Sequence, residues 1–255
     1  MSAYKPNSIY PFLAEFEDIA KKIKQEIISV ENKINDPSDN SVAMIENGNK
    51  GSTFYKNTTW NPLFALVIQG QLWRDFMKEH EFAPGIEQAN GLELACALDI
   101  VESYYEQHIP KTTSLIKKLF ERNREWITNI YIWRLQGNKG ALPLHTNYDP
   151  HMYRCHLGIL VPEGDIGLEV DGIKTQWQEG EFVIFDSMRP HRVWNNTGKA
   201  RYIVSIDCYR PEPNKAEVEA VQKTLVAMRM STNKFSYALS GGMPVLLNKI
   251  TNENT

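Results

Sequence analysis

The feature that most constrains this chain is a change of hydrophobic period near Trp126. Upstream of it apolar residues recur every three or four positions; downstream they alternate, and turn signals interrupt them at short intervals. The segments ITNIYIWRL, CHLGILV, IGLEV, IKTQW, EFVIF and RYIVSIDCY are separated by QGNKG, PEGD, the pair Asp171 and Gly172, QEGE and NNTG. Strands this short and this closely spaced predict an antiparallel sandwich or barrel.

The first half reads as helices. From Pro11 to about Ile34, Phe12, Phe16, Ile19, Ala20, Ile23, Ile27 and Val30 lie at helical spacing. Asn35 to Thr59 is rich in Asn, Asp, Ser and Gly and reads as a long loop, placed to cover a site. Helical signals return at Asn61 to Glu79 and at Gly91 to His108, before Pro110. PKTTSLIKKLFERN predicts one more short helix, with Thr112 or Thr113 as its cap. After Pro211 closes the strand run, a last amphipathic helix is expected over Lys215 to Met230. The reading is one α+β domain over 1–255: a mainly helical, substrate-shaping part at 1–125, a β-core at 126–212, and a C-terminal helix and tail at 213–255.

With 255 residues and 42% hydrophobic content the chain can build a substantial core. A net charge of -3 gives no pull toward nucleic acid or acidic membranes, so neither is an expected partner. Cys96, Cys155 and Cys208 are odd in number and lie in apolar sequence, which predicts no disulfide framework and a cytoplasmic location. MSAYKPNSIYPFLAEFEDIAKK has neither a signal-peptide core nor a spanning stretch.

Chemistry concentrates in the strands. Alternation puts His156, Gly158 and Leu160 of YRCHLGIL on one strand face. His191 and Arg201 flank the turn at Asn195 to Gly198, and a tight hairpin would set them on adjacent strands about 5 Å apart at Cβ. An arginine so placed holds one end of a short dicarboxylate whose other end binds a metal on His156 and His191. Two histidines with open positions point to a late first-row metal, and the two-histidine, one-carboxylate face is the usual cradle for non-haem Fe(II) oxygenases. Here Gly158 stands where the carboxylate would be, which leaves a position for water or an anion.

The run from His156 to Glu212, HLGILVPEGDIGLEVDGIKTQWQEGEFVIFDSMRPHRVWNNTGKARYIVSIDCYRPE, resembles the catalytic core of the aspartyl/asparaginyl β-hydroxylase family of 2-oxoglutarate-dependent oxygenases. The likeness extends back to about Pro110 and takes in PKTTSLI and the HTN of LPLHTNYDP. It implies a double-stranded β-helix of the jelly-roll, cupin-like kind, with Fe(II), 2-oxoglutarate and O2, and hydroxylation of an unactivated carbon. By motif position His156 and His191 would be the iron ligands, Arg201 would bind the distal carboxylate of 2-oxoglutarate, and Gly158 would match the family's absent carboxylate ligand. Members acting on acidic side chains carry arginines after the HLG segment, where this chain has Glu163, Asp165 and Glu169. A small amino-acid-like or natural-product substrate, free or carrier-tethered, is therefore preferred to a peptidyl one.

Other residues carry two readings each. His145 and Asn147 either touch 2-oxoglutarate or substrate or serve a turn, and Arg154 shares the face of His156 and either binds a carboxylate or lies at the surface. Asp186 reads as a turn residue, with a ligand role as the alternative. Trp133, Trp177 and Trp194 read as core or rim aromatics. His151 is expected in a loop, and His80 and His108 at helix ends, where a cationic ring suits the dipole. Three outcomes compete with hydroxylation: halogenation at the same centre, modification of a peptide, and a non-catalytic barrel that binds a metal or ligand.

Overall fold

The computed structural model describes residues 4–35, 60–68, 70–72, 74–75, 105–147 and 152–211. In chain order these form β1 (Tyr4–Lys5), α1 (Leu13–Ile34), β2 (Trp60–Ile68), β3 (Gln71–Leu72), α2 (Pro110–Asn123), β4 (Ile127–Leu135), β5 (Gly140–His145), β6 (Met152–Leu160), β7 (Ile166–Val170), β8 (Ile173–Thr175), β9 (Phe182–Phe185), β10 (His191–Asn195) and β11 (Arg201–Tyr209). Two antiparallel sheets result, with strand orders β1-β9-β6-β11-β4-β2-β3 and β5-β10-β7-β8. From β4 to β11 the chain passes back and forth between them, so that β4-β11-β6-β9 faces β5-β10-β7-β8. That pairing is a double-stranded β-helix, as the sequence implied.

The apolar stripe of α1 (Leu13, Phe16, Ile19, Ala20, Ile23, Ile27, Val30) is buried in the core between the helices and the seven-stranded sheet. Leu135, Leu142, Ile166, Leu168, Val170, Trp177, Phe185, Val193 and Ile203 fill a second cluster, inside the barrel. Among the described residues no helix is long and apolar enough to cross a membrane.

Three expectations change. The segment expected as a helix from Asn61 is strand β2, paired with β4 and turned at Gly70 (φ +75°) into β3. Phe64 to Ile68 are all buried, and an unbroken apolar run has no alternation to betray a strand. Neither threonine caps α2. Pro110 opens it, and the Glu26 carboxylate on α1 accepts the main-chain N–H groups of Lys111 (2.9 Å) and Thr112 (2.7 Å). Lastly, β10 and β11 are not neighbours in one sheet. The chain crosses between sheets there, held by Asn195, whose amide donates to the carbonyls of Leu135 (3.3 Å) and Lys199 (2.9 Å) and accepts from Thr197 Oγ1 (2.6 Å). The expected loop at 36–59, most of the Gly91–His108 helix and the Lys215–Met230 helix lie outside the described residues; Tyr105–His108 is helical.

A buried ionic clasp joins α1 to the barrel. Arg134 of β4 donates to Glu31 through Nε (2.9 Å) and Nη2 (3.2 Å) and to the Tyr202 hydroxyl (3.0 Å), while Tyr202 donates to Glu31. Burial alone would raise the Glu31 carboxyl, but hydrogen bonds from Arg134 and Tyr202 outweigh it and hold it below its ordinary range. Removing the carboxylate leaves a buried cation with less compensation, so Glu31→Gln should cost about 3 kcal/mol at neutral pH. A folded-state value below the unfolded one contributes stability above about pH 4.3 and loses it as pH falls through the folded value. Thermal melts should thus show wild type and Glu31→Gln converging below about pH 4; a gap that does not narrow would contradict the clasp.

Candidate functional site

The site is built from both walls of the barrel. On the four-stranded sheet β5 ends at His145 and β10 begins at His191, and the two are register partners. Their rings lie 4.1 Å apart between centroids. Each ring is fixed in the same way: His145 Nδ1 is 2.8 Å from the Pro143 carbonyl, and His191 Nδ1 is 2.8 Å from the Arg189 carbonyl. A carbonyl only accepts, so each Nδ1 carries the proton and each Nε2 keeps its lone pair. Burial pulls both rings below the ordinary histidine range, and His191, lying beside His145, drops to about 4. Both imidazoles are neutral at neutral pH.

On the seven-stranded sheet His156 of β6 lies opposite Ser205 of β11 and Val183 of β9 and is 3% exposed. It meets Phe185 edge-on at 5.0 Å, and Phe185 in turn meets His191 at 5.5 Å, so one phenyl ring spans the two walls. Burial, then the charges of Arg201, Arg154 and His191, hold His156 well below its ordinary range. Arg201, at the start of β11, is 0% exposed; its guanidinium lies 4.1 Å over the Trp177 ring, and burial pulls it down to about 9.

Arg154, one residue pair along β6, donates to Asp207 through Nε (2.8 Å) and Nη2 (3.2 Å), and Asn129 Nδ2 donates to the same carboxylate (3.2 Å). The charge of Arg154 depresses His145, His156 and His191 alike, which places it toward the same space.

The five residues singled out in the sequence thus converge. The ring packed on His191 is that of His145, because β5 and β10 pair, while His156 comes from the opposite wall, beside Arg201 and near enough to His191 to feel its charge. Arg201 and His191 lie on strands of different sheets and not along one hairpin. Gly158 also has another explanation. A Cβ there would meet the Gln178 carbonyl oxygen at 2.2 Å, and the two segments are stitched by Gly158 N–H to Glu181 O (3.2 Å) and Gly180 N–H to Gly158 O (2.8 Å). Close backbone approach thus keeps any side chain, a carboxylate included, out of this position.

Asp186 accepts from the Met188 N–H (3.1 Å) and from Arg210 (2.6 Å), the arrangement of a turn residue. His108 is a buried partner of Lys33 Nζ (3.2 Å) and, since an ammonium only donates, accepts there as a neutral ring instead of a cation. Trp194 is a rim residue, its indole donating to Asp165 (2.7 Å). His80 and His151 lie outside the described residues. Sequence reasoning missed two members. Asp207 shares the alternating face of Arg201, Ile203 and Ser205, and an acid in that apolar strand was the available signal. Trp177 sits between β8 and β9, where no alternation marks its direction.

The profile of the aspartyl/asparaginyl β-hydroxylase family matches residues 17–211. The chain belongs to that family. Among curated relatives of this aspartyl/asparaginyl β-hydroxylase family member, the ornithine lipid ester-linked acyl 2-hydroxylase of Rhizobium tropici is 31% identical over 107 residues, 41% of this chain and 32% of that one. The aspartyl/asparaginyl β-hydroxylases of Mus musculus and Homo sapiens are 28% and 31% identical over 103 residues, 40% of this chain and 14% of theirs. The chain therefore spans a third or less of the length of these relatives. Solved structures similar to it include a cupin from Bacteroides fragilis (13% identity, TM-score 0.28, 34% of this chain and 69% of that one) and a predicted oxalate decarboxylase from Thermotoga maritima (13%, 0.29, 35% and 73%). At such scores the strand pairing, not the overlay, carries the fold assignment.

The close approach at Gly158 yields a direct test. Gly158→Ala should lower the melting temperature by roughly 6 °C or more, the scale of a core overpacking that backbone cannot relieve. Gly198→Ala, whose Cβ would meet nothing within 4 Å, is the control and should shift it by about a degree at most. Equal melting of the two variants would show that the backbone contact at Gln178 is wrong.

Proposed function

We propose that this chain is an Fe(II)- and 2-oxoglutarate-dependent dioxygenase that hydroxylates an unactivated carbon of a small amino-acid-like or natural-product substrate. The reading is carried by three residues brought into one space: His156 and His191, neutral rings that both touch Phe185, with His191 Nδ1 committed to the Arg189 carbonyl so that Nε2 is left for a metal, and the wholly buried Arg201 beside His156. The donor set fits ferrous iron, which imidazoles suit, and two protein ligands leave positions for a chelating keto acid and O2. His145, packed on His191, stands beside this pair and is suited to the co-substrate.

When bound, the metal and keto acid supply the oxidising power: one oxygen of O2 goes to the substrate carbon, and the other to the keto acid, which leaves as succinate and CO2. The chain's own residues orient and exclude. Arg201, charged and wholly buried, is suited to the distal carboxylate of 2-oxoglutarate, a charge-assisted pair away from water. Arg154, held by Asp207, directs its charge toward the three histidines and is suited to a second carboxylate contact. The arginines near His191 are matched by acids: Arg189 with Asp171, Arg210 with Asp186 and Arg192 with Glu169. A rim so balanced favours a neutral or zwitterionic substrate over an acidic peptide.

Two outcomes test the assignment. In titrations of the purified protein with Fe(II) under argon, His156→Ala and His191→Ala should abolish tight binding, whereas His145→Ala should retain it and weaken 2-oxoglutarate instead; loss of iron with His145→Ala and not with His156→Ala would give the metal to the other pairing. Arg201→Ala should raise the dissociation constant for 2-oxoglutarate roughly 10- to 100-fold, the loss of one charge-assisted pair, in calorimetry on protein shown folded by its melt. Unchanged affinity would remove the clamp. A screen of amino acids and related metabolites for substrate-stimulated succinate release, with a product 16 mass units heavier, would support hydroxylation; no succinate under any substrate would sink it.

A further inference from the structure

Trp177 is 3% exposed and belongs to the apolar cluster inside the barrel. Two site residues rest on its ring: the Arg201 guanidinium at 4.1 Å, and the His156 imidazole at 6.1 Å with the planes 26° apart. Its Nε1–H is buried and meets no hydrogen-bond acceptor among the described residues. Native interiors leave few buried donors in that state, and each one asks for a reason. Trp194, at the rim, does not share the problem, since it donates to Asp165.

We propose that Trp177 is a binding residue for the co-substrate, its ring positioning Arg201 and His156 and its indole N–H donating to the carboxylate that Arg201 holds. The inference rests on the functional reading above and adds to it a residue and a contact. A carboxylate offers about four acceptor sites, and a guanidinium edge takes two, so a second donor has a place to act. An indole is donor-only and uncharged. It therefore adds a hydrogen bond without a second cation, which a pocket already burying Arg201 would tolerate poorly. Its π-face also attracts the desolvated guanidinium, fixing the direction of the fork before the ligand arrives. An aliphatic side chain in this place would fill the space and do neither.

The test uses the zinc-loaded protein, which is diamagnetic, with 15N-labelled tryptophan. The chain has six tryptophans, and the indole resonance missing from Trp177→Phe identifies the one of interest. On titration with 2-oxoglutarate that resonance should move downfield and saturate at the dissociation constant found by calorimetry. Trp177→Phe, which keeps a ring and loses the donor, should weaken 2-oxoglutarate about tenfold while zinc affinity holds, and should raise KM more than it lowers kcat. Trp177→Leu should weaken it further. If 2-oxoglutarate binds while the Trp177 resonance stays still, or if Trp177→Phe binds it as wild type does, the inference is overturned and the functional reading survives. If 2-oxoglutarate does not bind at all, both fall.

Discussion

A guanidinium with no exposed surface, that of Arg201, is held inside this barrel. Taking a charge out of water is penalised by several kcal/mol unless something replaces the lost hydration, and burial alone pulls Arg201 down to about 9. The fold places an aromatic face over it and arranges a histidine held neutral beside it, so that no second cation competes. A buried charge of this kind makes sense where an anion completes it. The neutral state of all three site histidines follows from the same low-dielectric, cationic surroundings, and it is the state in which an imidazole ligates a metal.

The position of Arg201 is fixed from outside the barrel. Its neighbour Tyr202 points to the opposite face of β11, into the Glu31–Arg134 clasp, and Arg134 is the register partner of Tyr202 as Leu135 is of Arg201. Alternation thus links two layers: the strand that presents the guanidinium inward is pinned outward to α1 by charged hydrogen bonds. Glu26, on the same helix, caps α2, so one amphipathic helix organises both the helical layer and the wall carrying the clamp. Helix packing here is part of site geometry, although no helical residue enters the site among those described.

Much of this was legible in the sequence, and the failures are instructive. Alternation and turn spacing mark the strands from Ile127 to Tyr209, and the 3.6-residue period marks α1, because each element has one buried and one wetter face. β2 was read as a helix because Phe64 to Ile68 are buried without exception, which erases the period. The neighbour of His191 differs for another reason. Spacing tells which face of a strand a residue occupies, not which strand will lie beside it, and here β10 and β11 lie in opposite sheets. A hairpin at Asn195 to Gly198 would set Arg201 beside His191, where the pairing of β5 with β10 places His145 instead. Gly158 adds a cause that spacing does not show: the Gln178 carbonyl leaves no room for a side chain where a carboxylate ligand would otherwise stand.

The crossover that defeated the sequence reading is also what makes the site workable. His145 and His191 stand on the four-stranded sheet, whereas Arg154, His156 and Arg201 stand on the seven-stranded one. A ligand gripped at both ends must therefore bridge the sheets, and its length must match their separation, about 10 Å between facing sheets less the side chains that reach inward. A single-sheet arrangement would fix spacing by the strand repeat and leave the ligand lying on a surface open to water. Opposed walls enclose it instead, with Phe185 touching a histidine on each side and sealing the space between. Enclosure strengthens every charge interaction inside and keeps water from the reacting centre, so the topology itself supplies the exclusion that oxidative chemistry requires.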